Sequence, residues 1–345
     1  MSPVRIAVVG AGVIGKRHIE LIQKNNACHL AAICDPNPQV QQLADQLGTP
    51  FFQDHIQLLD QTSFDGAIIA TPTEQHADIS IAFAKRGIHL LVEKPITSTV
   101  EDGKALLAIA KEYNAQILVG HYRRFNPLVQ KARDIIQSGD IGQLVSVAAI
   151  WALQKPEAYY EVHWRTVAGG GPILINLIHD IDNLRFICGE IQSLYAMTSS
   201  ETRGLAVEDT VSVTLRFTNG AMGTLTASDA TPAPWSYEAT MFENPDFAHT
   251  EENSVYFLGS TGSLAFPKMA LWHYADAQQS GWQHPLEKTT IAVPTADPLT
   301  AQLANFCGVI RGNDTPLVSG QEGLQTLKAT LAIHDSAKLD QRIWL

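Results

Sequence analysis

The apolar positions of this chain come in two textures. In the first third they form short, nearly unbroken runs: Ile6 to Val9, His29 to Cys34, Asp65 to Thr71, His89 to Val92 and Gln116 to Gly120. Runs this short and rich in β-branched residues predict strands buried on both faces of a parallel sheet. Between them lie segments that read as helices: Ile14 to Ile22, Asn37 to Gly48, Glu74 to Gly87 and Thr99 to Asn114. Two of these stop at a glycine, the usual C-terminal signal. Strand alternating with helix predicts a doubly wound α/β domain of about six strands.

Beyond Phe125 the texture changes. Pro127 to Ser138 reads as one more helix, and Leu144 to Leu153 opens a region of alternating strands. Val211 to Phe217 and Ala221 to Ala227 flank Asn219-Gly220, the strongest short hairpin signal. Ser254 to Leu258 and Ser263 to Phe266 are joined by a turn over Gly259 to Gly262. Gly171 to Cys188 reads as a helix opened by Gly169-Gly170-Gly171-Pro172, and Ser319-Gly320-Gln321-Glu322 as a capping box starting a helix to Leu339. The second domain is therefore α+β, with a large, mostly antiparallel open sheet. The expected division is residues 1–123 and 124–345.

Composition narrows the function classes. At 345 residues the chain exceeds the usual single core, in keeping with two domains. A net charge of −11 without a lysine or arginine cluster argues against nucleic acid and anionic membranes as partners. Cys28, Cys34, Cys188 and Cys307 show no C-x-x-C pairing and read as reduced core residues, and the histidines form no metal-ligand spacing. The first strand starts almost at Met1 and no apolar run is long enough to span a membrane, so the expectation is a soluble cytoplasmic protein.

The chemistry is concentrated after the first strand. Gly10, Gly12 and Gly15 have G-x-G-x-x-G spacing between a strand and a helix, and Asp35 closes the second strand about twenty residues later. This is the dinucleotide fingerprint: the glycines permit a tight turn, close approach to a pyrophosphate and close helix packing, and Val13 and Ile14 open the helix whose N-terminus faces the phosphates. Asp35 accepts hydrogen bonds from the adenosine ribose and repels a 2′-phosphate, and Pro36, Asn37 and Pro38 offer no arginine. NAD is thus expected over NADP. Ligands of such sheets lie beyond the strand ends, which selects Thr71, Pro72 and His76, then Glu93, Lys94 and Pro95, then His121 to Arg124. A lysine at a strand end, partly desolvated beside a cationic ring, is a usable proton partner for an alcohol. Pro95 is a candidate cis residue aiming it. Asn176, His179 and Asp182 follow one another at three-residue spacing on one predicted helix, in an apolar setting where a histidine is either a satisfied core residue or catalytic. Arg123, Trp151, Tyr159, Tyr160, His163, Trp164, Trp235 and Tyr237 are candidate pocket residues.

Together the glycine fingerprint, Glu93-Lys94-Pro95, Arg123-Arg124-Phe125-x-Pro127, Trp164-Arg165 and Gly169-Gly170-Gly171 leading to His179-x-x-Asp182 resemble the Gfo/Idh/MocA oxidoreductases over essentially the whole chain. The resemblance implies a Rossmann domain and a second domain for substrate binding and subunit contacts, in a homodimer or homotetramer. It implies hydride transfer between nicotinamide and a hydroxyl-bearing carbon of a sugar, cyclitol or related polyol. Lys94 and His179 would be catalytic, with Arg123, Trp164 and Asn176 joining them against the substrate. The family commonly has an aspartate four residues before the histidine; here that position is Ile175. Two other classes stay open on this fold, a non-enzymatic NAD-binding sensor and an NAD-dependent glycosidase.

Overall fold

The computed structural model describes residues 2–276, 278 and 280–345, which divide into two compact units: 2–125 with 297–327, and the described residues of 126–296 with 328–345. Among the described residues no helix is long and apolar enough to cross a membrane.

The first unit holds a parallel sheet of β1 (Val4–Val9), β2 (Cys28–Cys34), β3 (Phe51–Phe52), β4 (Gly66–Ile69), β5 (His89–Val92) and β6 (Ile117–Val119) in the order β3-β2-β1-β4-β5-β6. Ile6, Val8, Ile68, Ile69, Leu90 and Leu91 are fully buried, as unbroken apolar runs require of central strands covered on both faces. Each such side chain contributes about 1.5–3 kcal/mol of burial. The connecting helices are α1 (Val13–Gln23), α2 (Gln41–Leu47), α3 (His55–Gln61), α4 (His76–Ala84) and α5 (Val100–Glu112). Their ends follow local chemistry: Gly48 caps α2 in the left-handed conformation, and the Thr99 hydroxyl accepts the Asp102 N–H at the start of α5.

The expected domain division assigned all of 124–345 to the second domain, whereas residues 297–327 pack with the first unit. The physical reason lies at Gly66. A Cβ there would stand 2.4 Å from Ile310 Cδ1 and 3.1 Å from Phe306 Cζ, so the helix Pro298–Ile310 lies flush on β4. Arg311 Nη2 then donates to the Ala27 carbonyl at 2.7 Å.

The second unit is built on a nine-stranded mixed sheet. Its strands are β7 (Leu144–Ala152), β8 (Ile191–Ser199), β9 (Thr210–Phe217), β10 (Met222–Ser228), β11 (Val255–Gly259), β12 (Gly262–Phe266), β13 (Ala270–His273), β14 (Glu287–Thr290) and β15 (Ile343–Trp344), in the order β14-β13-β12-β11-β7-β10-β9-β8-β15. The hairpin β9–β10 turns at Asn219-Gly220, and every pair is antiparallel except β7 with β10. Alternation along β9 and β10 sends Val211, Val213, Leu215, Phe217, Leu225 and Ala227 inward. There they join α6 (Pro127–Ser138) and α7 (Ile178–Cys188) in one core with Trp151 and Ile181.

Candidate functional site

The three glycines do three different jobs. Gly10 has φ +91°, and a Cβ on it would stand 2.5 Å from the Ala70 carbonyl oxygen. Gly15 lies so close to the turn that its Cβ would be 1.9 Å from the Gly10 carbonyl oxygen. Both are required by the protein itself. Gly12 is not: its φ of −70° suits any residue, and a Cβ there would meet nothing within 4 Å. That empty space, next to the unpaired N–H groups of the first turn of α1, is a cradle for a phosphate group. Val13, 95% exposed, and half-buried Ile14 border it.

Asp35 faces the same turn. Its Oδ2 accepts the Ala11 N–H at 2.7 Å and its Oδ1 the Asn37 N–H at 2.9 Å. Both oxygens keep lone pairs for ribose hydroxyls. Across the sheet, at the end of β4, the Thr71 hydroxyl is buried without a hydrogen-bond partner, and Pro72 stands exposed beside it. A cradle, an oriented carboxylate and an orphaned hydroxyl along one row of strand ends fit a dinucleotide, with its adenosine ribose at Asp35 and its pyrophosphate at Gly12.

His76 has a different place from the one its spacing suggested. The ring is buried, with Nδ1 2.8 Å from the Pro95 carbonyl and Nε2 2.9 Å from the Thr71 carbonyl. It fastens the end of β4 to the loop after β5 instead of reaching outward to a ligand. That loop carries Glu93, half-buried Lys94 and Pro95, with a cis Lys94–Pro95 peptide as the sequence suggested. Glu93 Oε1 lies 2.8 Å from Nε2 of His18 on α1, and Glu93 Oε2 accepts the Lys94 N–H at 3.2 Å. Burial pushes the Glu93 carboxyl up, but the His18 hydrogen bond and charge, with Lys94, outweigh it and hold the group below the usual carboxylate value. Sequence reasoning missed His18. Its signal was its place three residues after Gly15, on the buried side of α1.

The remaining substrate candidates have contrasting environments. Arg123, in a short turn over Tyr122–Phe125, is 2% exposed, whereas Trp164 is 53% exposed. Trp151 and Tyr237 are buried in the second unit, where the Trp151 indole N–H donates to Glu238 and the Tyr237 hydroxyl to Glu243. His163 and Trp235 are exposed.

His179 is buried in the first turn of α7. The helix expected over 171–188 is not regular: Ile173–Leu177 form a π turn before α7 begins. A π turn carries an extra residue, so α-helical spacing does not place Asn176 or Ile175 relative to His179. The Asn176 Oδ1 is buried without a hydrogen-bond partner, an acceptor left open for a donor such as a hydroxyl. The glycine run also has its reason here. Glu208 Oε1 accepts the Ile173 N–H at 3.1 Å, and a Cβ on Gly171 would stand 2.2 Å from that oxygen.

The second unit also contains a buried charge network that no motif announced. Asp229 lies 3.2 Å from Lys155 Nζ, accepts the Tyr160 hydroxyl at 2.7 Å and receives Arg203 Nε at 3.3 Å. Lys155 sits over the Tyr159 ring at 4.6 Å. Burial lowers the Lys155 pKa, and Asp229 opposes that shift. Beside the network is a cavity of about 270 Å³, bordered by Gln154, Glu157, Tyr160 and Arg203. Among the described residues no cluster of histidine, cysteine and carboxylate groups is arranged to hold a metal.

Residues 4–121 match the oxidoreductase family with an NAD-binding Rossmann fold, and residues 129–265 match the GFO/IDH/MocA C-terminal domain. The rhizopine catabolism protein MocA of Rhizobium meliloti is 27% identical over 203 residues, which is 59% of this chain and 62% of that protein. The inositol 2-dehydrogenase of Rhizobium meliloti strain 1021 is 26% identical over 97% of this chain and 96% of its own. Among solved structures, the WlbA dehydrogenase of Bordetella pertussis in complex with NADH and UDP-GlcNAcA superposes with a TM-score of 0.80 at 27% identity, covering 99% of both chains. With a glycine cradle and strand-end acid in one unit, an open sheet in the other, and matches across both, the chain belongs to the Gfo/Idh/MocA oxidoreductase family.

Proposed function

We propose that this protein is an NAD-dependent dehydrogenase that moves a hydride between nicotinamide and a hydroxyl-bearing carbon of a sugar, cyclitol or related polyol. The observation that carries the reading is the pairing of the open cradle at Gly12 with the Asp35 carboxylate aimed at the same turn. The choice of NAD rests on Asp35, whose charge disfavours a 2′-phosphate. The polyol class is supported by the named activities of relatives such as the inositol 2-dehydrogenase.

When bound, the nicotinamide supplies the hydride acceptor or donor. The chain's residues have the remaining work. Lys94 Nζ takes the hydroxyl proton as the carbonyl forms and returns it in the reverse direction. His179 shares the handling of that same proton with Lys94, and the open Asn176 Oδ1 accepts a hydrogen bond from a substrate hydroxyl. Asp35 and the α1 N-terminus bind and orient, while His76 and His18 hold the strand ends that present Lys94.

The test is oxidation of a panel of sugars, sugar acids and cyclitols with NAD⁺ or NADP⁺, read as net reduced cofactor. Turnover with NAD⁺ is expected for at least one polyol. Lys94→Ala should lower it by at least about 10²-fold while leaving NADH binding nearly intact. Full activity in Lys94→Ala overturns the assignment. Tight NADH binding without turnover on any polyol favours a sensor, and glycoside cleavage without net NADH favours a glycosidase.

A further inference from the structure

We propose that the Glu93 carboxylate sets the preference of this site for the oxidised over the reduced cofactor, and that His18 is the positioning residue that holds it there. The inference rests on the dinucleotide reading above and concerns what the chain does to the bound nicotinamide. The strand order divides the ligand-binding edge in two. Asp35 at the end of β2 claims the adenosine half, so the nicotinamide half belongs to the ends of β4, β5 and β6. Glu93 is the residue immediately after β5.

Its carboxylate is fixed from three sides. His18 Nε2 holds Oε1 at 2.8 Å, the Lys94 N–H holds Oε2 at 3.2 Å, and Gly120 lies flush against the group. A Cβ on Gly120 would stand 2.8–3.0 Å from all three carboxyl atoms. Glycine at the end of β6 is thus the residue that makes room for this acid. The His18 side chain is 1% exposed and that of Glu93 10%, so the pair is enclosed. A carboxylate placed this deep without partners would take up a proton. Here the group stays below the usual carboxylate value.

A fixed anion in surroundings of low dielectric acts strongly on a group whose charge changes nearby. The nicotinamide ring is cationic when oxidised and neutral when reduced, so Glu93 stabilises the first more than the second. A role confined to folding would treat both forms alike.

The experiment is calorimetric titration of NAD⁺ and NADH into the wild-type protein and into Glu93→Gln, which keeps the size and one acceptor oxygen and loses the charge. The NAD⁺ dissociation constant should rise about tenfold while that for NADH stays within about twofold. His18→Leu should move the ratio of the two constants in the same direction, and His18→Gln, which retains an N–H donor, should restore most of it. These two variants also carry the test if Glu93→Gln does not fold. Equal weakening of both forms, or an unchanged ratio in folded protein, overturns the inference and leaves the dehydrogenase reading standing. A wild-type protein that binds neither form removes the dinucleotide reading and this inference with it.

Discussion

The Asp35 carboxylate accepts the Ala11 backbone N–H at 2.7 Å, tying the acid at the end of β2 to the glycine turn after β1. The acid therefore shapes the turn as well as facing a ribose. The two roles separate by substitution. Asp35→Asn keeps an oxygen for Ala11 but removes the charge, so the preference for NAD⁺ over NADP⁺ should fall by about tenfold or more. Asp35→Ala also loses the acceptor and should weaken both cofactors. Titration of the two cofactors checks this, and tighter binding of NADPH than NADH by the wild-type protein would contradict it.

The contrast between Gly12 and Gly15 gives a second expectation. Gly15→Ala drives a Cβ into the Gly10 carbonyl and should lower stability by more than about 2 kcal/mol even without cofactor. Gly12→Ala meets no protein atom, so its stability should stay within about 0.5 kcal/mol of wild type, yet its Cβ enters the cradle and should cost at least about tenfold in NADH affinity. Thermal melts with and without NADH separate the cases. A Gly12→Ala protein with unchanged affinity would mean that no phosphate approaches that backbone.

How much was legible in the sequence follows the range of the interactions. The glycines, the helix after them and Asp35 lie within one strand–helix–strand unit, and their roles are set by local turns, so spacing was enough to find them. His18 and Glu93 are 75 residues apart, and Tyr160 and Asp229 are 69 apart. Neither partnership exists until the chain folds, and no local pattern encodes it. The π turn at Ile173–Leu177 has the same apolar texture as an α-helix and was read as one. Strand β14 is exposed along its whole length, so it lacks the alternation by which strands are recognised. The helix Pro298–Ile310 has no place among the elements expected from the sequence, and nothing in its apolar positions says which core they enter.

Glu93 gives an expectation for pH. Its folded pKa lies below the ordinary carboxylate value, because His18 and Lys94 outweigh burial. Between the two values the unfolded chain binds a proton that the folded chain does not, so stability rises with pH across that window. The contribution is complete above the ordinary value near 4.5 and disappears as pH falls through the folded one. Urea midpoints should therefore drop on acidification below about pH 5, and Glu93→Gln should flatten that drop. Equal slopes in the two proteins would show that the pair does not carry the acid sensitivity.

The outer face of the nine-stranded sheet supports the last expectation, that the protein is a homo-oligomer joined through this face. Register places Leu258, Ser146, Met222 and Arg216 in one row across β11, β7, β10 and β9. Tyr256, Ala148, Thr224 and Thr214 form the next, continuing to Tyr195 on β8. Ile150, Thr226, Ser212 and Met197 form the third. All of these are exposed or half-exposed on the side opposite the core; Leu258, Tyr256, Ala148 and Ile150 adjoin one another across β11 and β7, and Tyr195 and Met197 stand beyond the threonines and serine of β10 and β9. An exposed apolar face of this kind marks a contact surface, and a second copy of the same sheet would cover it isologously because each subunit presents the same rows. Light scattering at micromolar concentration should give a dimer or larger assembly. Met222→Glu combined with Leu258→Glu puts like charges in the first of these rows and should shift the mass to that of a single chain. NADH affinity should persist in that variant, since the glycine cradle and Asp35 belong to the other unit. A monomeric wild-type protein, or a double variant that keeps the full assembly, would show that this face is not the joint.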